Sequence, residues 1–99
     1  MMYEISSKLY HEVATRLTEL AASHGYFSTS FEFEFEDVWC KMIISAVVYR
    51  QSSPDVGHSV CAVTDMIPVW WEFHTFVEGE EVLNDMSFDL IRENIHSLV

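Results

Sequence analysis

The apolar periodicity changes along the chain from 3.6 to 2, and that change separates its elements. From Glu4 to His24, Ile5, Leu9, Val13, Leu17, Leu20 and Ala21 recur at helical spacing, which predicts an amphipathic helix with one face for a core. Ser6 or Ser7 is placed to cap its start by accepting from an orphan amide, and Gly25 suits the left-handed position that ends such a helix. In YFSTSFEFEFED the pattern then alternates. Phe27, Thr29, Phe31, Phe33 and Phe35 share one face, and Ser28, Ser30, Glu32, Glu34 and Glu36 the other, as in a half-buried strand. The glutamates mark the outer face as solvated and discourage sheet-to-sheet association.

A second strand, Val38 to Arg50, is apolar at each even position from Val38 to Val48. A two-residue hairpin at Glu36 and Asp37 sets Phe35 opposite Val38, Phe33 opposite Cys40 and Phe31 opposite Met42, so the two apolar sets share a face; a slip by one residue separates them. The turn lacks the favoured glycine, which leaves a longer loop open. Gln51 to Gly57, QSSPDVG, reads as a loop, and His58 to Val77 as a long third strand or two strands joined at a bend. Pro68 has no amide to donate, so a bulge or an unpaired edge is expected there. Glu78 and Gly79 turn the chain into a short strand near Glu81 to Leu83. Asn84 or Asp85 then caps a second helix striped by Phe88, Ile91, Ile95 and Leu98. The expected fold is α+β: an antiparallel three- or four-stranded sheet with an N-terminal and a C-terminal helix, in the order α-β-β-β-(β)-α, forming one domain over residues 1–99.

Adjacent residues of a strand point to opposite faces, so the neighbouring indoles of Trp70 and Trp71 in PVWWEFHTF are driven apart. The first helix is expected on the phenylalanine face, because its stripe needs an apolar partner. The odd positions Cys61, Val63, Ile67, Val69, Trp71 and Phe73 are expected to join that core. Asp65 interrupts the series: either a bulge at Asp65 and Met66 turns its carboxylate outward, or it is buried with hydrogen-bond partners. Trp70, Glu72, His74 and Phe76 fall on the opposite face with Trp39, Ile43, Val47 and Tyr49. So much aromatic surface needs a cover: the second helix, a second subunit or a ligand.

Composition narrows the function classes. A hydrophobic fraction of 49% opposes disorder despite a formal charge of -11. Sixteen acids against five Lys plus Arg repel phosphate, so direct nucleic-acid binding is not expected and basic partners are favoured. MMYEISSKLY lacks the layout of a signal peptide, and VWCKMIISAVVY, broken by Lys41, is shorter than the roughly 20 residues of a spanning helix, so a cytoplasmic location away from membranes is expected. Taking the loop as a hairpin puts Cys40 opposite a residue between Ile67 and Val69. Cys61 then lies roughly 20 to 26 Å from the pairing position, beyond disulfide reach, and both thiols are expected to be reduced.

Candidate chemistry is sparse. Glu72 and His74 share a strand face, where a carboxylate orients an imidazole beside Trp70; this is either an acid/base pair or an ordinary polar contact. His11, His24, His58, His74 and His96 are scattered without ligand spacing, so no metal is expected. The isolated glycines make no phosphate cradle, and no cofactor is expected. The glutamates at 32, 34 and 36, about 7 Å apart on an extended chain, match phosphate spacing along DNA, so an acidic nucleic-acid mimic is one alternative to a solvated face.

DMIPVWWEFHTF and EVLNDMSFDLI together resemble a pattern, PVWWEFHT followed by LND-(aromatic)-SF, in a group of short uncharacterised bacterial α+β proteins. The resemblance spans about residues 60 to 92, places Trp70, Trp71, Glu72, Phe73, His74, Asn84 and Asp85 in the common core, and implies no activity. The leading expectation is a non-enzymatic interaction or homodimerising domain, binding another copy or another protein through Trp39, Tyr49 and Trp70. The alternative from another class is a small-molecule or catalytic pocket lined by Trp70, Glu72 and His74.

Overall fold

A computed structural model describes residues 2–21, 25–53 and 60–98, with side chains except at 51–53 and 60–62. The first helix, α1, runs Ser7–Leu20 and buries Leu9, Tyr10, Val13, Ala14 and Leu17. Ser6 caps it, its Oγ accepting from the Leu9 N–H at 3.2 Å. Residues 22–24, where the expected helix was to end, lie outside the described residues. α1 stops short of the expected end, with Ala21 as its C-cap and the Ala21 N–H donating to the Leu17 carbonyl, so Gly25, at a left-handed φ of +85°, does not end the helix but opens strand β2, Gly25–Phe35.

β2 pairs antiparallel with β3, Val38–Ser53, in the register that the apolar alternation requires: Phe35 opposite Val38, Phe33 opposite Cys40, Phe31 opposite Met42. The turn is the two-residue one. Glu36 and Asp37 occupy φ of 47° and 68° without glycine, a left-handed pair that costs roughly 1 to 2 kcal/mol per residue. Burial of the two apolar sets on one face outweighs that local cost.

The sheet is larger than expected and mixed. Strand β4, Val60–Val77, follows β3, and β5, Glu80–Asn84, returns from a turn at Glu78 and Gly79. A strand β1 of Met2–Tyr3 runs parallel to β5, with Met2 opposite Leu83 and Tyr3 opposite Asn84. The order is β1-β5-β4-β3-β2, five strands with one parallel pair, rather than three or four antiparallel ones. Two residues carry no periodicity. What fixes β1 is a set of distant hydrogen bonds: Ile5 N–H donates to Asp85 Oδ1 at 2.7 Å, and Asp85 N–H to the Tyr3 carbonyl.

The register of β4 also differs from expectation. Cys40 lies opposite Thr75, not between Ile67 and Val69, and Cys61 lies opposite Ser52. β3 continues through Ser53, and two irregularities add residues to β4: Thr64 between the partners of Arg50 and Tyr49, and Val69 between those of Ala46 and Ser45. Each bulge reverses the facing of the residues past it. Between the two bulges Met66 is fully buried and Ile67 opposes Val47 on the other face; after the second, Trp71 and Phe73 return to the core side. Ile67 and Val69 therefore leave the expected core series, and the bulge at Val69 adjoins Pro68 as its missing donor requires.

α2, Phe88–Ser97, buries Phe88, Ile91 and Ile95. Its N-cap is Ser87, without a side-chain cap bond, because Asn84 and Asp85 are engaged elsewhere. Asn84 Nδ2 donates to the Phe73 carbonyl at 2.9 Å and to Thr75 Oγ1 at 3.3 Å, while its Oδ1 accepts from Met86 N–H. Both helices bury their stripes in one cluster with Phe33, Cys40, Met42, Ile44, Met66 and Phe73. They occupy the same side of the sheet, so α2 does not cover the outer aromatic residues. No helix among the described residues is long and apolar enough to cross a membrane.

Candidate functional site: the outer sheet face

The two indoles separate as the pleat demands. Trp71 packs against the core, its ring centroid 5.7 Å from that of Phe88, while Trp70 is 53% exposed. Trp39 at 43% and Tyr49 at 53% are exposed on the same outer face. Val69, extruded by its bulge, is also exposed.

Strand register arranges this face in rows that cross the sheet. At one end Glu34, Trp39, Phe76 and Glu81 form a continuous row through β2, β3, β4 and β5. The next holds Glu32, Lys41 and His74, then Ser30, Ile43 and Glu72, then Ser28, Ser45 and Trp70. Tyr26, Val47 and Ile67 come next, and Tyr49 lies near the far end, where its pairing partner Asp65, beside the bulge, sends its carboxylate to α2 instead. Trp39 and Trp70 are thus separated by polar rows. Tyr49 lies beyond them, so the three candidates share one face but form no single aromatic cluster. Glu36 leaves the ladder, because its left-handed turn conformation takes it out of the strand.

Glu72 and His74 do meet, and Glu81 joins them. His74 Nε2 lies 2.7 Å from Glu72 Oε1, and Nδ1 2.8 Å from Glu81 Oε2. Hydrogen bonds to Glu81 and then Glu72 raise the imidazole above its usual range, because both favour the charged ring. His74 therefore links β4 to β5, and its charged form is favoured by both carboxylates. Glu81 was hidden in sequence because its approach depends on the tight β4–β5 hairpin, and the Glu78–Gly79 turn was the signal for it.

Past Thr75, β5 diverges from β4, and a cleft of about 320 Å³ opens there, lined by Trp71, Glu72, His74, Val82, Asn84 and Met86 among others. Glu72 and His74 border it; Trp70, on the same outer face but one row beyond Glu72, does not. Both ring nitrogens of His74 are engaged by carboxylates, so proton transfer to a ligand requires breaking one of these bonds. Among the described residues, no three His, Cys, Asp or Glu converge as a metal site.

Asp65 resolves its own problem at the bulge. Its Oδ1 accepts from Met66 N–H at 2.8 Å, and Arg92 of α2 donates to Oδ1 at 3.0 Å and Oδ2 at 2.8 Å. His96 Nε2 lies 3.1 Å away. The Arg92 guanidinium, with the Met66 amide and His96, holds the Asp65 carboxyl well below the usual carboxylate range. The carboxylate is neither free in solvent nor unpartnered, and it fastens α2 to β4. Cys40 is fully buried, and burial pushes its thiol up to about 11, leaving it a packing residue with little thiolate.

Comparison of the chain with protein-family models, with curated proteins and with solved structures finds no match in any of the three. The functional reading therefore rests on the arrangement of these side chains.

Proposed function

We propose that the protein is a non-catalytic interaction domain whose outer sheet face, with Trp39, Tyr49 and Trp70, is docked by another polypeptide chain. The observation that carries this reading is the placement of both helices on one side of the sheet, which leaves those three large rings about half exposed on the other. Large amphipathic rings on a rigid sheet lose little conformational freedom on binding, and aromatic residues are enriched at the energetic centres of interfaces.

The test separates binding from folding. Replacing Trp39, Tyr49 and Trp70 together by Ser is expected to lower stability by less than about 2 kcal/mol, since exposed positions contribute mainly cross-strand contacts. The same variant is expected to abolish association seen by light scattering, whether between copies or with an added polypeptide. Loss of the folded state in the triple variant would make these rings part of the monomer's own packing and reject the reading.

The cleft beside His74 supports a second reading, a small-molecule site using Glu72, His74 and Asn84. Its volume is within the range of ligand pockets, which begins near 300 Å³. His74→Ala with unchanged binding across a small-molecule library, read by intact mass, removes it.

A further inference from the structure

Resting on the docking reading above, we infer that the occupant of the outer face is a basic, extended polypeptide segment, with an arginine or lysine laid on Trp39 and Phe76 between the carboxylates that end their row. The row Glu34–Trp39–Phe76–Glu81 places two aromatic rings side by side with an acid at each end. With strands about 4.8 Å apart, its ends are separated by on the order of 14 Å. A hollow of about 340 Å³ lies there between Glu32, Trp39, Lys41, Phe76 and Gly79. Gly79 has no side chain to close the end at the turn.

Charge selects the occupant. Glu32, Glu34, Glu72 and Glu81 are set against Lys41 and His74 on this face, and His74 is already engaged by two of those acids. The whole chain carries -11. A second copy would bring the same acids against the first, and nucleic acid would bring phosphates, so both are repelled where a basic chain is attracted. The flat face of an aromatic ring attracts a cation, and adjacent carboxylates fix its position. The chain makes the same arrangement on its helix side: Arg16 Cζ lies 4.4 Å over the Phe33 ring while Arg16 Nε bonds Glu12 at 3.0 Å. Basic residues at alternate positions of an extended segment fall roughly 7 Å apart on one side, close enough to reach both rings.

The probe is a fluorescein-labelled peptide of alternating Arg and Ala, titrated with the whole protein and read by anisotropy at low salt, beside an alternating Glu and Ala peptide. Saturable binding of the arginine peptide alone is expected. Trp39→Ala, and Glu32→Gln with Glu34→Gln, should each weaken it by at least about 10-fold, while Lys41→Met, which removes the opposing cation, should tighten it. Glu19→Gln with Glu93→Gln removes the same charge from the exposed helix side and should change the affinity by less than about 2-fold, since a general charge effect would not distinguish the two sides. Circular dichroism checks that each variant is folded. Equal weakening by the helix-side pair, weakening by Lys41→Met, or no saturable binding would overturn the inference. If the peptide fails but the protein self-associates through Trp39 and Trp70, the docking face stands and its basic occupant falls; failure of both removes both.

Discussion

Replacing Asp65 by Asn removes the charge that fixes α2 to β4 while keeping nearly the same volume. Two Arg92 bonds at 3.0 and 2.8 Å, the Met66 amide at 2.8 Å and His96 at 3.1 Å converge on this carboxylate. Hydrogen bonds to charged groups contribute about 1.5 to 3 kcal/mol when well shielded. Here the side chains of Asp65 and Arg92 remain 25% and 34% exposed, so screening reduces the sum, and we expect Asp65→Asn to cost about 2 kcal/mol. For a domain of this size that lowers Tm by about 8 to 16 °C.

Urea unfolding at a series of pH values is the assay. The folded-state pKa of Asp65 is depressed, so its stabilisation is present in full above the unfolded pKa of about 3.9 and is lost as pH falls through the folded value. The gap between the parent and Asp65→Asn should be constant from about pH 7 to 5 and narrow only below about pH 4. A double-mutant cycle with Arg92→Met should give a coupling of about 1 to 2 kcal/mol. A cost under about 0.5 kcal/mol at neutral pH would make the clamp an ordinary surface pair. A gap that changes mainly between about pH 8 and 6 would belong to a histidine, and either result refutes the reasoning.

Trp71→Ala should cost about 2 to 4 kcal/mol by urea unfolding, since it opens space beside Phe88; a loss below about 1 kcal/mol would show that the ring is not part of the core. His74→Gln should remove about 1 kcal/mol, most of it at acidic pH. The raised pKa of His74 means that its contribution is complete below the unfolded value of about 6.5 and disappears as pH rises through the folded one, so a gap that grows with pH contradicts the two-carboxylate bridge. In a Cys61→Ser background, Cys40 should resist a thiol reagent at about pH 8 until denaturant is added; prompt labelling of the native state would place the thiol at the surface.

The parts of the fold legible in sequence are those in which burial and local pattern agree. Phe31, Phe33 and Phe35 can join the even residues of β3 in only one register, so that hairpin was readable despite a turn without glycine. The outer position of Trp39, Tyr49 and Trp70 follows from the same alternation. Thr64 and Val69 were unreadable as bulges because each is an ordinary strand residue, and only the lengths of β3 and β4 reveal the surplus. The pairing of Arg92 with Asp65 was unreadable for a different reason, being a contact between distant segments that no periodicity encodes. The same holds for Glu81, whose meeting with His74 is created by a reversal of the chain.

The parallel edge formed by β1 separates the sheet into two kinetic classes. The hairpins β2–β3, β3–β4 and β4–β5 join consecutive strands, whereas Met2 and Tyr3 reach Leu83 and Asn84 only by closing nearly the entire chain. Loop-closure entropy favours early pairing of the meander and late docking of β1, buckled by Asp85 through Ile5. Weakening that buckle should accelerate unfolding while leaving the refolding rate nearly unchanged, so the edge formed last is also the first to open.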